Sequence, residues 1–107
     1  MLRQKQINKP IRVLFFGTPE FALPSLDFFL NDSNYNLVGV VTQSDKKQGR
    51  KQVLTANPVK HRVLNSVQVT SAEKVQLFQP LRVRSQYSTI LEQTKPDLIF
   101  VIAYGQI

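Results

Sequence analysis

The most concentrated chemical feature of the sequence is a run of positive charge between residues 46 and 62. Arginine offers a bidentate fork for phosphate and lysine a point charge, so such a run suits a nucleic-acid backbone without reading its bases. A solvated surface loop fits the same charge pattern, and charge alone leaves both interpretations open. The run holds no acid and six cations: Lys46, Lys47, Arg50, Lys51, Lys60 and Arg62.

A second candidate site is the turn Gly17-Thr18-Pro19-Glu20-Phe21, where an apolar run gives way to a helical pattern. Glycine permits a sharp bend, Thr18 is placed to cap the next turn, and Pro19 suits a first helical position. Exposed amides at a helix start can bind an anion. The turn has neither the dinucleotide-binding G-x-G-x-x-G nor a P-loop sequence. A purely structural strand-to-helix turn is the simpler interpretation.

Few groups are available for acid-base chemistry or metal binding. His61 is the one histidine, and with no carboxylate nearby in sequence to orient it, we expect a surface helix residue. Glu20 and Asp45 are the acids at strand ends, and we expect Asp45 to accept hydrogen bonds within its own loop as an Asx-turn. The absence of cysteine excludes a disulfide scaffold, a zinc-thiolate site and a cysteine nucleophile. No metal site is expected.

These candidates lie at the ends of predicted strands and helices. Apolar runs at residues 11–16, 37–42 and 98–103 are continuous, which is typical of parallel strands buried on both faces. A further strand lies at residues 67–70 or 75–78, and we favour the second. Helical spacing follows the first run and precedes the last, and Asn57-Pro58 predicts a short helix over 58–65. The periodic apolar residues are Ala22, Leu26, Phe29 and Leu30, and then Val83, Tyr87, Ile90 and Leu91.

This alternation predicts an α/β fold, a doubly wound Rossmann-like parallel sheet with about four strands in the order 3-2-1-4 and helices on both faces. Ligands of such sheets bind at the carboxyl ends of the strands. Strands one and four are then neighbours, and the turn after Gly17 faces the segment Tyr104-Gly105-Gln106-Ile107. Because residue 107 directly follows a buried strand, we expect the first half only of such a domain, with an uncovered apolar edge.

Length and charge set the outer bounds. The chain has 107 residues, 42% of them hydrophobic, with 14 Lys+Arg against 7 Asp+Glu and a net charge of +7. We expect one soluble domain over residues 11–107, preceded by a basic extension at residues 1–10. The longest apolar runs are far below the roughly 20 residues that cross a bilayer, so no membrane partner is expected. The first residues lack the apolar core of a secretory signal.

Five segments in order resemble the amino-terminal region of the methionyl-tRNA formyltransferase family. The combination of GTPEFA, TQ-x-D-x(3)-GR and AYGQI is far more specific than any one piece. The resemblance runs from about residue 11 to residue 107, nearly the whole chain. The segments are IRVLFFGTPEFALPSLDFFL, VVTQSDKKQGR, PVK at 58–60, FQP at 78–80 and PDLIFVIAYGQI.

The resemblance implies an enzyme of translation initiation. The family transfers a formyl group from 10-formyltetrahydrofolate to the amino group of methionine on the initiator tRNA. Expected partners are therefore initiator methionyl-tRNA and a folate, without DNA or a membrane, for a monomer. A bacterial-type cytoplasm is the expected location, with plastid and mitochondrion as alternatives.

The resemblance also implies roles for particular residues. Arg50 matches an arginine that recognises the acceptor end of the tRNA, with Lys46, Lys47 and Lys51 in electrostatic support. The turn from Gly17 to Phe21, through Thr18, Pro19 and Glu20, resembles the border of the site for the aminoacyl end. The segment Tyr104, Gly105, Gln106 and Ile107 resembles a wall of the folate pocket.

The catalytic residues of the family lie beyond residue 107. Its Asn-x-His sequence does not occur here, because neither Asn57 nor Asn65 has a histidine two residues later. We therefore expect no catalytic residue in this chain and no formyltransferase activity from it alone. Two alternatives remain open: a basic RNA-binding fragment without chemistry, and a nucleotide-binding Rossmann-like module of another enzyme.

Overall fold

A computed structural model describes residues 9–66 and 75–105. None of the helices in this described part is long and apolar enough to cross a lipid bilayer. A short 3-10 helix, Glu20–Ala22, precedes the first α-helix. The elements, in chain order, are β1 (Ile11–Gly17), α1 (Leu23–Asn31), β2 (Tyr35–Val41), β3 (Lys46–Gln48), β4 (Val53–Thr55), α2 (Pro58–Leu64), β5 (Gln76–Phe78), α3 (Val83–Thr94) and β6 (Leu98–Ile102).

Four strands form one parallel sheet in the order β5-β2-β1-β6. This is the predicted order 3-2-1-4, since β5 is the third strand of the sheet along the chain. The preferred position of that strand, residues 75–78, is confirmed, and the alternative at 67–70 lies outside the described residues. The molecule is thus an α/β, Rossmann-like half-domain of the predicted kind.

The centre of the sheet is β1, which is buried on both faces because successive side chains of a strand point in opposite directions. Val13 and Phe15 pack in a cluster with α1 and α2, whereas Leu14 and Phe16 pack against α3. Burial of each such side chain contributes on the order of 2 kcal/mol. The two clusters place helices on both faces of the sheet, as the continuous apolar runs predicted.

The end of α3 is tied to the start of β1 by Arg12. Its guanidinium donates hydrogen bonds to the carbonyl oxygens of Thr94, at 2.6 Å, and Lys95, at 3.0 Å. These carbonyls have no partner within the helix, and a cation is also favoured at this end of the helix dipole. The backbone amide of Arg12 donates to the Asp97 carboxylate at 3.0 Å. Both contacts set α3 and β6 against the central strand.

The segment expected to be a loop after β2 contains an antiparallel β-hairpin instead. We call residues 46–55 the basic hairpin: β3 pairs with β4, and a four-residue turn, 49–52, joins them. Gly49 has φ +78°, and its carbonyl accepts from the backbone amide of Gln52 at 3.1 Å. All ten residues are exposed, so neither face of the hairpin needs apolar side chains. The sequence of the two strands therefore lacks the alternation of polar and apolar residues that would have predicted them.

The strand β6 forms an edge of the sheet. It pairs with β1 on one side, and within residues 9–66 and 75–105 no strand pairs with the other. Leu98, Ile99 and Val101 are 38–48% exposed along it. The uncovered apolar edge that the sequence predicted is therefore present in the described part.

Candidate functional site

The carboxyl ends of β1 and β6 meet as predicted. The Thr18 hydroxyl, directly after β1, donates to the backbone carbonyl of Tyr104 at 3.3 Å. The side chain of Gln43, which follows β2, donates to the same carbonyl at 2.8 Å. A single oxygen atom thus joins the ends of three neighbouring strands, and the edge of the sheet is held by hydrogen bonds across them.

Thr18 does not cap the following helical turn. The 3-10 helix has Pro19 at its N-cap, with no side-chain hydrogen bond there. The Thr18 oxygen instead accepts from the backbone amide of Gln43 at 3.3 Å while it donates to Tyr104. A hydroxyl can donate one hydrogen bond and accept two. The expectation of a capping threonine was wrong because strand-end partners compete for this side chain.

Asn57 joins the helix α2 to the end of β2. Its side-chain oxygen accepts from the backbone amide of Lys60 at 2.9 Å, an N-cap bond at the helix start that the sequence predicted. The same oxygen accepts from the buried hydroxyl of Thr42 at 3.1 Å, and the side-chain nitrogen donates to the carbonyl of Gln43 at 2.9 Å. One asparagine therefore fixes both the start of α2 and the course of the chain after β2.

Asp45, directly before the basic hairpin, is bound by residues from two other elements. The Lys60 ammonium lies 3.0 Å from each carboxylate oxygen, and the Gln79 side chain donates to Oδ1 at 2.9 Å. The expected Asx-turn is not formed, because the carboxylate accepts hydrogen bonds from the Lys60 ammonium and the Gln79 amide instead, and the bond from a charged donor is the stronger kind. The hydrogen bonds from Gln79 and then Lys60, together with the Lys60 charge, hold the pKa of Asp45 below its ordinary value.

A cleft of about 580 Å³ lies between the turn after β1, the basic hairpin and the start of α2. Glu20 on the turn and His61 on α2 border it, together with Lys46 and Gln48 of β3. His61 is exposed, as expected of a surface helix residue. The cleft thus has ionisable groups of both signs on its rim and the polar strand ends Thr18 and Gln43 in its lining.

The four cations predicted to meet tRNA share the basic hairpin. Lys46 and Lys47 belong to β3, and Arg50 and Lys51 lie in the turn at its tip. All four are exposed, and residues 46–55 contain no acid. Phe21, at the end of the predicted substrate-side turn, is 73% exposed. Of these residues, Lys46 and the turn residues Thr18, Pro19 and Glu20 line the cleft.

Tyr104 presents its backbone, not its ring, to the crevice. The ring packs edge-on against Phe16 at 5.3 Å between centroids, in the cluster under α3. Its hydroxyl is buried and has no hydrogen-bond partner among the described residues. Burial raises the pKa of Tyr104. Gly105 is exposed with φ +108°, and Gln106 and Ile107 lie outside the described residues.

Sequence reasoning missed four polar residues of this site: Thr42, Gln43, Gln79 and the bonding role of Lys60. A usable signal was present, since Thr42-Gln43 directly follows a buried strand and Gln79 directly follows β5. Uncharged polar side chains at the carboxyl ends of parallel strands lie at one edge of the sheet, where they can reach one another. In the described residues, no group of three His, Cys, Asp or Glu side chains could hold a metal ion.

Comparisons with known proteins agree with the resemblance seen in the motifs. No model of a protein family matches the sequence. Three curated relatives are each named methionyl-tRNA formyltransferase. The proteins of Alkaliphilus oremlandii, Gloeothece citriformis and Bacillus thuringiensis are 42%, 40% and 44% identical over 98, 99 and 101 residues, and the matches cover 91% of this chain.

The share of the relatives that is matched is much smaller. The chain spans 28–29% of the length of these three proteins. The chain is therefore similar, over 91% of its own length, to about the corresponding 29% of proteins named methionyl-tRNA formyltransferase.

Proposed function

We propose that this chain serves the transfer of a formyl group from 10-formyltetrahydrofolate to the amino group of methionyl initiator tRNA. The observation that carries the proposal is the basic hairpin, with Arg50 at its tip, beside a cleft of about 580 Å³. The names of the curated relatives support the same reaction. Within this reaction the chain supplies the surface that binds the tRNA end.

The proposed contacts follow from the positions of the cations. Arg50 binds a phosphate near the acceptor end, because an exposed guanidinium at a turn can donate two parallel N–H hydrogen bonds to a backbone phosphate. Lys46, Lys47 and Lys51 attract the RNA as point charges. The cleft between the hairpin and the turn 17–21 receives the aminoacyl end, with Glu20 on its rim.

The folate is proposed to lie along the end of β6. The Tyr104 side chain is not available to the folate, because its ring lies in the core. The Tyr104 carbonyl is not available either, because it already accepts hydrogen bonds from Thr18 and Gln43. Of the described residues, Gly105 remains with an exposed backbone beside this position. The segment 104–107 is thus proposed as a border of the folate pocket, with no hydrogen bond assigned to Tyr104.

We further propose that the 107-residue chain by itself binds tRNA without formylating it. Transfer requires donors that stabilise the oxyanion at the formyl carbon and a base that accepts the amine proton. The chain has no Asn-x-His sequence, and His61 has no hydrogen-bonded carboxylate partner in the described residues. Incubation of the purified chain with 10-formyltetrahydrofolate and Met-tRNA should leave the methionine amine free, and formylated product would contradict this.

Titration of fluorescently labelled initiator tRNA at several salt concentrations tests the binding role. Neutralised phosphates release counterions, so the affinity falls with salt, and loss of one contact reduces the slope of log K against log [salt] by about one. Arg50→Ala is expected to weaken binding and reduce the slope. Lys9→Ala is the matched control, because it also removes one positive charge but lies just before β1, at the amino ends of the strands and away from the basic hairpin. Equal effects of the two changes would contradict a specific role for Arg50.

A basic module that binds RNA without chemistry is the second candidate. It is favoured by the exposure of the whole hairpin, whose cations can contact phosphates but read no bases. A single-stranded RNA of equal length distinguishes the two candidates. Preference for the tRNA supports the first proposal, and equal affinity supports the second.

A further inference from the structure

The basic hairpin has little of its own to hold it in place. Two-stranded hairpins are marginally stable in water unless they pack against other structure. All six strand residues of β3 and β4 are exposed, including the apolar Val53 and Leu54 at 57% and 62%. The direction in which the tip projects is therefore decided at the two ends of the hairpin.

The end after β4 is fixed by α2. Thr55 is followed by Ala56 and then by Asn57, whose side chain caps the helix and bonds to the end of β2. The short link leaves the β4 end little freedom, because only one residue separates the strand from this anchored asparagine.

The last side chain before β3 that is bonded in the described structure is that of Asp45, two residues after the bonded Gln43. The Asp45 carboxylate accepts from Lys60 in the first turn of α2 and from Gln79 after β5. Asp45 and Lys60 are only 29% and 19% exposed, so water competes less with these bonds than at an open surface. Gln79 also donates to the carbonyl of Gln43 at 2.9 Å.

The backbone of Lys60 is anchored at the start of α2, so the ammonium group reaches Asp45 from a fixed position on the helix. The Lys60 backbone amide is bonded to the cap residue Asn57, which also receives the Thr42 hydroxyl. The two ends of the hairpin thus converge on the same turn of α2, one through the backbone and one through the Asp45 carboxylate.

We propose that Asp45 is a positioning residue, which together with Lys60 and Gln79 fixes the direction of the basic hairpin and so places Arg50 for phosphate binding. The part that concerns phosphate rests on the proposed function. The part that concerns the direction of the hairpin stands on the contacts alone, and the two parts are tested separately.

Asp45→Asn separates a positioning role of Asp45 from a purely electrostatic one, because the two roles predict opposite changes in the affinity for tRNA. Removal of a negative charge beside four cations should by itself strengthen the binding of labelled initiator tRNA. Loss of positioning predicts the reverse, at least about threefold weaker binding than the unchanged chain. Asp32→Asn is the matched control, since it makes the same chemical and charge change between α1 and β2, at the opposite edge of the sheet.

A spin-label distance gives a readout that needs no RNA. The chain has no cysteine, so Lys51→Cys at the tip and Ser88→Cys on the exposed side of α3 give one labelled pair. The distribution of distances between the two spin labels should be narrow when Asp45 is unchanged and broad in the Asp45→Asn variant. It should stay narrow in Asp32→Asn.

Gln79→Met breaks the same arrangement without a change of charge. It should broaden the distribution and weaken tRNA binding in the same direction as Asp45→Asn, and it remains informative where Asp45→Asn fails to fold. Lys60→Met combined with Asp45→Asn should broaden the distribution no more than Asp45→Asn alone, because the Lys60 ammonium acts through the Asp45 carboxylate.

The outcomes separate the two proposals. An unchanged distance distribution in both Asp45→Asn and Gln79→Met overturns the positioning role. Tighter tRNA binding by Asp45→Asn than by Asp32→Asn overturns the claim that Asp45 places Arg50 for phosphate binding. If no variant and no unchanged chain binds tRNA while the distribution still broadens, the proposed function fails and the positioning of the hairpin is supported.

Discussion

The side-chain amide of Gln43 donates a 2.8 Å hydrogen bond to the backbone carbonyl of Tyr104. Gln43 follows β2 and Tyr104 follows β6, and β1 lies between these two strands. The bond therefore spans the end of the central strand, on the edge where the candidate site lies. Gly105, which follows Tyr104, is exposed but borders the same side chain, since a Cβ there would lie 2.7 Å from the Gln43 amide nitrogen.

Gln43→Leu is expected to destabilise the fold. The change keeps much of the side-chain volume but removes the donor to the Tyr104 carbonyl, and one such bond contributes about 1 kcal/mol to the free energy of unfolding. Urea denaturation measures the difference. Gln48→Leu, the same change on the exposed basic hairpin, should have little effect. Equal losses of stability in the two variants would contradict a structural role for the Gln43 bond.

Asp45 should make stability depend on pH in the acid range. Bonds from Gln79 and Lys60 hold its pKa in the folded chain below the ordinary value of 3.8, so the unfolded chain binds the proton more tightly. The contribution is complete above about pH 4 and is lost as the pH falls through the folded-state pKa. Urea midpoints of the unchanged chain and Asp45→Asn should differ at about pH 5, and the difference should shrink as the pH is lowered further below about 4. A difference that does not change with pH would contradict the role of the charge.

Arg12→Met should lower the free energy of unfolding by about 1 to 2 kcal/mol, since it leaves the carbonyls of Thr94 and Lys95 without their charged donor. Thermal unfolding followed by circular dichroism measures this. Arg84→Met provides the control, because Arg84 is an exposed residue near the start of α3. A control variant as unstable as Arg12→Met would show that the loss comes from net charge rather than from the end of the helix.

Tyr104→Phe should leave stability unchanged or raise it by up to about 1 kcal/mol. The substitution removes a buried hydroxyl that has no partner in the described residues and retains the ring against Phe16. Since burial raises the pKa of Tyr104, the unchanged chain should also lose stability as the pH rises above about 10, and Tyr104→Phe should lose less. A loss of more than about 1 kcal/mol at neutral pH would show that the hydroxyl is bonded.

The sequence predicted the sheet well because burial leaves a strong pattern. Strands buried on both faces need continuous apolar residues, and this identified β1 and β2. The same kind of run identified β6, although the prediction that this strand is buried on both faces was wrong, since Leu98, Ile99 and Val101 are exposed. The start of α2 was also readable, since Pro58 lies in its first turn, where a missing amide costs nothing. Apolar periodicity and proline chemistry are local, so no knowledge of the fold was required.

The basic hairpin could not be predicted in the same way. Its strands are three residues long and exposed on both faces, so neither alternation nor a continuous apolar run marks them. The partners of Asp45 were equally out of reach, because Lys60 and Gln79 are 15 and 34 residues away along the chain. Contacts of that kind follow from the strand order and become predictable only once the sheet has been assembled.

No strand within residues 9–66 and 75–105 pairs with the outer side of β6, so the behaviour of this chain should depend on its concentration. The outer amide and carbonyl groups of β6, next to the exposed Leu98, Ile99 and Val101, offer a template on which another extended segment can pair. A second copy can supply that segment as readily as any other polypeptide. Sedimentation of the chain should therefore show self-association that grows with protein concentration, and a lysine in place of Ile99 should suppress it.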